Sequence, residues 1–235
     1  MYRANTYRND IQGLRAISAF LIVICHVWMN KISGGVDIFF VISGFFMTQV
    51  IMKNTEKSLF ESYINFWAKV LRKTFIPVVS VIFLTLFFIF LLNFPSKFLL
   101  IKHAEKSAIF IENLYLIKSN LNYLNSDLLN PFQQFWAISI QYQFYILLPI
   151  LLYVLGYSKR KILIASFIFI SFSFVYSLFK TYTDQNYAYF HPLTRFWEFF
   201  IGVVAYFFIG YKRKIISLIS VFLFFVLAVF CFICS

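Results

Sequence analysis

The feature that most constrains this chain is a succession of apolar runs, each about as long as a bilayer is thick, with the charges gathered between them. Runs of this kind fall at residues 13–29, 36–52, 75–94, 135–155, 162–179, 193–209 and 215–234. A backbone in lipid must satisfy its own hydrogen bonds, so each run is expected to be a helix, and no alternating pattern of a membrane barrel is present. The predicted fold class is therefore all-α: a polytopic transmembrane helix bundle of about seven spans. Composition agrees, because 61% of the 235 residues are apolar and only 13% are charged, against about 45–50% and 25% in soluble domains.

The segment 98–117 is different. It carries Lys102, His103, Glu105, Lys106 and Glu112, and each charge at the centre of a span costs about 2.5–3.5 kcal/mol on insertion scales. It is expected to be one interfacial or re-entrant helix. The distribution of Lys and Arg supports this. With the N-terminus inside and 98–117 not crossing, Arg3, Arg8, Arg15, Lys53, Lys57, Lys69, Arg72, Lys73 and the basic triplets at 159–161 and 212–214 all fall on the cytoplasmic side. Residues 30–35, 95–134 and 181–192 then lie outside.

The net charge of +12 would suggest a nucleic-acid partner in a soluble protein. Here the cations flank spans, where they set topology and touch anionic lipid, so the expected partner is membrane lipid and not nucleic acid. Cys25, Cys231 and Cys234 lie in apolar runs and read as small hydrophobes. No metal site is expected.

Polar groups inside apolar runs carry the functional information. The first run holds Arg15 and His26. Eleven residues is about three helical turns, so the two share a face about 16 Å apart. Arg15 can be a topology anchor and His26 a satisfied core residue. Alternatively His26 is a general base, since imidazole can change charge near neutral pH. Asp37 opens the second run, where it can cap the helix or orient the imidazole. Lys69, Arg72 and Lys73 precede the third run and suit either lipid head groups or the phosphates of a nucleotide-like cofactor. Gln141 and Gln143 lie in the fourth run. Arg195 and Glu198, three residues apart in the sixth, can neutralise each other.

At these residues the chain resembles the acyltransferase 3 family of membrane proteins. The opening YRNDIQGLRAISAFLIVICH, the second block GGVDIFFVISGFFMT, the third FWAISIQYQFYILLPILL and the fourth FHPLTRFWEFFIGVVAY are similar to that family's segments, in the same order. The resemblance implies transfer of an acyl group, often acetyl, from cytoplasmic acyl-CoA to a hydroxyl of a surface glycan or lipid-linked saccharide. It implies a site in the bacterial cytoplasmic membrane. It assigns His26, with Arg15 and Asp37, to catalysis and Lys69, Arg72 and Lys73 to acyl-CoA. It assigns Gln141, Gln143, Tyr145, Arg195 and Glu198 to the substrate. This sequence has Gln141 and Tyr142 where the family has two glutamates, Gln134 where it commonly has a histidine, and lysines at 69 and 73 where arginine is usual. Residues 1–235 are expected to form a single membrane acyltransferase domain, truncated at its C-terminus. Two other readings stay open at this stage: an inactive remnant, and a transporter or flippase, whose pathway would need the same buried polar groups.

Overall fold

The computed structural model describes residues 9–25, 28, 34–53, 59–119 and 130–208. Among them there is no strand. The elements are α1 (Asn9–Ile24), α2 (Gly35–Met52), α3 (Leu59–Leu91), α4 (Lys97–Ala108), α5 (Glu112–Lys118), α6 (Phe135–Val154), α7 (Lys159–Thr183), α8 (Gln185–Phe190), a 3-10 turn (Pro192–Thr194) and α9 (Phe196–Phe208). Four of them, α2, α3, α6 and α7, are long and apolar enough to cross a membrane, and α1 and α9 are shorter apolar helices. The first six expected spans therefore each correspond to a helix. The seventh, 215–234, lies outside the described residues, as does His26.

The contacts fix the direction of each helix. Arg195 lies over Trp136 and Phe199 meets Phe144, while Asp37 meets Arg195 and Phe45 meets Tyr206, so α2, α6 and α9 run the same way. Helix α3 runs against α6: Phe66 meets Tyr145, Trp67 meets Tyr142, and Val78 and Ile82 share a cluster with Phe135. Helix α7 runs against α9, with Phe169 stacked on Phe200 and Phe174 against Trp197. The short elements α4, α5, α8 and the 3-10 turn gather at the end where α2, α6 and α9 begin.

Helices α2 and α6 are the inner ones. Half of the apolar window of α2 is buried, against 11% for α3 and 17% for α7. The outer faces of α3 and α7 present Phe83, Phe87, Phe90, Phe167, Phe172 and Phe179 outward. Such a surface is stable only in an apolar solvent.

The closest packing joins α2 to α9, and two glycines permit it. A Cβ on Gly44 would stand 2.0 Å from the Phe199 carbonyl oxygen, and one on Gly202 would stand 2.0 Å from that of Val41. The two backbones touch, as small residues allow in membrane bundles, where apolar burial alone gives no preference for protein over lipid.

The segment 98–117 is two helices and not one. Helix α4 ends with Phe110 in the left-handed region, φ 58°, and Ile111 N–H returns to the Lys106 carbonyl. The elbow 109–111 between α4 and α5 descends along α6: the Phe110 ring stacks on Tyr142 at 3.7 Å, and the Phe110 carbonyl accepts from Gln143. Gln143 is eight residues into α6, a depth of about 12 Å. The elbow thus dips beside α6 and turns back, the geometry expected of a re-entrant segment. The apolar residues 109–111 at its tip can enter, while its charges stay above them or pair.

The third span also differs from expectation. Helix α3 starts at Leu59 and runs through Pro77, whereas hydropathy placed its start at 75. The basic residues that interrupted the apolar pattern lie inside the helix.

Replacing Gly202 by leucine is expected to separate α2 from α9 and to destabilise the protein by about 3 kcal/mol or more, as overpacking does. Gly13 is the control, because a Cβ added there would meet nothing within 4 Å. Gly13→Ala should leave thermal unfolding of the detergent-purified protein unchanged, while Gly202→Leu lowers its midpoint.

Candidate active site

A buried polar seam runs down the shared face of α2, α6 and α9. At its upper end the Arg195 guanidinium donates from Nη1 to Asp37 Oδ1 and to Glu198 Oε1, both at 3.0 Å. Its Nε donates to the Tyr189 carbonyl at 3.4 Å. The group also lies over the Tyr189 ring, 5.1 Å from its centroid, and near Trp136 at 5.8 Å. Arg195 and Asp37 side chains are 15% and 16% exposed, and Glu198 is 1% exposed. The local fold explains the arrangement. Thr194 Oγ1 bonds the carbonyls of Ala188 and His191, which closes the 3-10 turn and delivers Arg195 to the start of α9. Ser173 of α7 fixes the same corner by donating to the Leu193 carbonyl and accepting from Trp197 N–H.

About two turns further in, Gln141 Nε2 donates to Ser43 Oγ on α2 and, at 2.6 Å, to Tyr145 Oη one turn along α6. The Arg15 guanidinium on α1 is near enough to the Tyr145 hydroxyl to interact with it electrostatically. Tyr142, beside them, hydrogen-bonds Thr74 of α3.

Lys69, Arg72 and Lys73 are exposed on α3. The neighbouring Phe66, Trp67 and Thr74 contact Tyr142 and Tyr145, so the three cations stand roughly level with the middle of α6. None of them makes an ion pair with another described residue. They lie just before the uncharged apolar stretch 74–91 of the same helix.

The sequence-predicted residues thus fall into groups. Asp37, Arg195 and Glu198 form one cluster. Here the sequence reading is corrected: Arg195 does not pair with Glu198 alone, because Asp37, 158 residues away, shares the guanidinium, and one cation then serves two carboxylates. The role expected for Asp37, orienting His26, falls on a residue outside the described set; the partner Asp37 shows is Arg195. Gln141 and Tyr145 form a second group with Arg15 nearby. Gln143 stands apart from them. Its Nε2 binds Asn113 Oδ1 at 2.9 Å and the Phe110 carbonyl at 3.4 Å, so its amide holds the re-entrant elbow. It also lines a cavity of about 350 Å³ bounded by the elbow, by Trp67 of α3 and by Tyr142.

One constellation was missed. His103 Nδ1 lies 2.5 Å from Glu112 Oε1, with side chains 1% and 0% exposed. Burial pushes the Glu112 carboxyl upward from its ordinary pKa, and the hydrogen bond to His103 opposes that shift. The signal was available: two charges of opposite sign flanking a helix break in an apolar segment.

The helical bundle, its lipid-facing flanks and its buried polar seam define a multi-pass membrane protein with an internal site. The chain belongs to the acyltransferase 3 family, whose model, described as an acyltransferase domain, matches residues 8–235. Its relatives include a Staphylococcus aureus (strain MSSA476) protein named "Putative O-acetyltransferase", 29% identical over 215 residues, with 88% of this chain and 35% of that protein covered. Another is O-acetyltransferase OatA of Staphylococcus aureus (strain NCTC 8325 / PS 47), 28% identical over 209 residues, covering 86% of this chain and 34% of that one. The chain spans about a third of the length of these curated relatives. No solved structure gives a significant match.

Removing the shared cation should be severe. Arg195→Met leaves two buried carboxylates uncompensated and is expected to cost about 3–5 kcal/mol, read as loss of monodisperse protein by size-exclusion chromatography in detergent. Neutralising all three, with Asp37→Asn and Glu198→Gln added, should restore most of the folded yield.

Proposed function

We propose that this chain is the acyl-transfer unit of a membrane O-acyltransferase. It moves an acyl group, acetyl in the first instance, from acyl-CoA to a hydroxyl of a cell-surface carbohydrate or lipid-linked saccharide. The proposed setting is a bacterial cytoplasmic membrane, with the N-terminus inside, an orientation that rests on the Lys and Arg residues flanking the spans. Family membership and the O-acetyltransferase names of the relatives support the reaction class.

The observation that carries the reading further is the bank of three exposed cations, Lys69, Arg72 and Lys73, on α3, the helix whose Trp67 and Thr74 meet Tyr142 of α6. Three cations just before the apolar stretch 74–91 suit lipid head groups, and they equally suit the phosphates of a CoA ester entering from the same side. The adenosine phosphates of acyl-CoA would engage these side chains, and the narrow pantetheine arm would extend toward Gln141 and Tyr145. At the seam the acceptor oxygen attacks the thioester carbonyl, a C–O bond forms, and the C–S bond breaks. The hydroxyl proton passes to His26 as general base and from it to the departing sulfur, so CoA leaves as its thiol. Dryness favours this transfer, because water in the same position would hydrolyse the thioester.

Vesicles containing the protein are expected to release CoA thiol from acetyl-CoA and to place labelled acetyl on an added saccharide acceptor. His26→Ala should lower that transfer by about a hundredfold or more, as loss of a general base does, with membrane insertion retained. Transfer at the unaltered rate in that variant would remove His26 from the reaction. Lys69→Ala with Lys73→Ala should raise KM for acetyl-CoA by roughly tenfold and change kcat less, the pattern of lost binding.

A further inference from the structure

We propose that His103 and Glu112 are positioning residues for this reaction: their buried contact holds the elbow 109–111 at depth beside α6 and thereby fixes Gln143 at the wall of the cavity. The proposal rests on the acyl-transfer reading above.

The pair closes the elbow from both sides. His103 lies on α4 and Glu112 is the first residue of α5, so their 2.5 Å contact ties the descending arm to the returning one. The His103 ring also meets Tyr115 edge-on, 4.9 Å between centroids, which adds a second tie one turn along α5. Removing two ionisable groups from water is costly, and a loop that needed only anchoring could use apolar contacts instead. The expense goes with an elbow that is itself strained. Phe110 is a bulky residue in the left-handed region, a conformation that persists only where its surroundings enforce it.

From the pair the constraint passes to α6 by short steps. Glu112 N–H donates to Ser139 Oγ at 3.3 Å. The next residue, Asn113, donates to the Phe190 carbonyl at 3.2 Å and accepts from Gln143 at 2.9 Å. Gln143 and the residues 109–111 then form facing walls of the same cavity. His103 and Glu112 are themselves too deeply buried to meet a substrate, so they act through Asn113 and Gln143 and not by proton transfer to it.

The test uses the full chain with Cys25, Cys231 and Cys234 replaced by serine and Ile111→Cys introduced at the elbow. Two quantities are read in proteoliposomes: the rate at which a charged maleimide labels that cysteine, and acetyl transfer per folded molecule. His103→Ala and Glu112→Ala should each speed labelling by at least about tenfold and lower kcat by a similar factor, with KM for acetyl-CoA within about twofold. The exchanged pair, His103→Glu with Glu112→His, should recover both. Glu112→Gln, which keeps a hydrogen bond to the imidazole, should fall between and serves if the alanine variants do not fold. Slow labelling in the single variants overturns the proposal. So does fast labelling with kcat per folded molecule unchanged, which would make the pair structural only. If the unaltered chain transfers no acetyl group, the functional reading fails and this role fails with it, while labelling still reports whether the pair holds the elbow.

Discussion

One guanidinium organises the upper end of the bundle. Arg195 donates to two carboxylates on two helices, is faced by two aromatic rings and also donates to a backbone carbonyl. Glu198 is buried and Arg195 and Asp37 are largely so, which leaves these groups few alternative partners, and each depends on the others. The cluster therefore sets the register of α2 against α9, and the glycine contact two turns below holds only in that register. With α2 and α9 fixed, Phe40 and Phe144 seat α6 between them. The polar groups on its inner face then meet Ser43.

The sequence made the spans legible because hydropathy over about 20 residues is a property of composition and needs no partner. It marked 98–117 as unable to cross for the same reason. What it could not show was pairing across long separations. Asp37 and Arg195 stand 158 residues apart, and spacing alone favoured the i,i+3 partner Glu198. The Gln143–Asn113 bond joins residues 30 apart across an elbow whose geometry no local pattern specifies. The start of α3 was misplaced for a different reason. Charge ends a hydropathy window, but it does not end a helix, and residues 59–74 continue the helical turn beneath Lys69, Arg72 and Lys73.

The candidate site was legible as a list and not as an arrangement. Arg15, Gln141 and Tyr145 were each singled out, and the bundle brings them to one level. Gln143 was expected to meet substrate; the fold engages its amide nitrogen at the elbow and also sets the residue in the cavity wall. His103 and Glu112 were counted as obstacles to crossing, and the fold uses them as a pair. In each case the residue type was informative, and only the tertiary partner decided what it does.

The contact of Gly44 and Gly202 has a consequence for traffic through the molecule. Where two backbones touch, no gap wide enough for even a water file can open between α2 and α9 without parting the helices. That seam is a watertight weld. Among the described residues a cavity lies elsewhere, between α3, α6 and the elbow. The bundle thus has a closed side and a hollow one, and a pair of hydrogen atoms in place of two side chains decides which is closed.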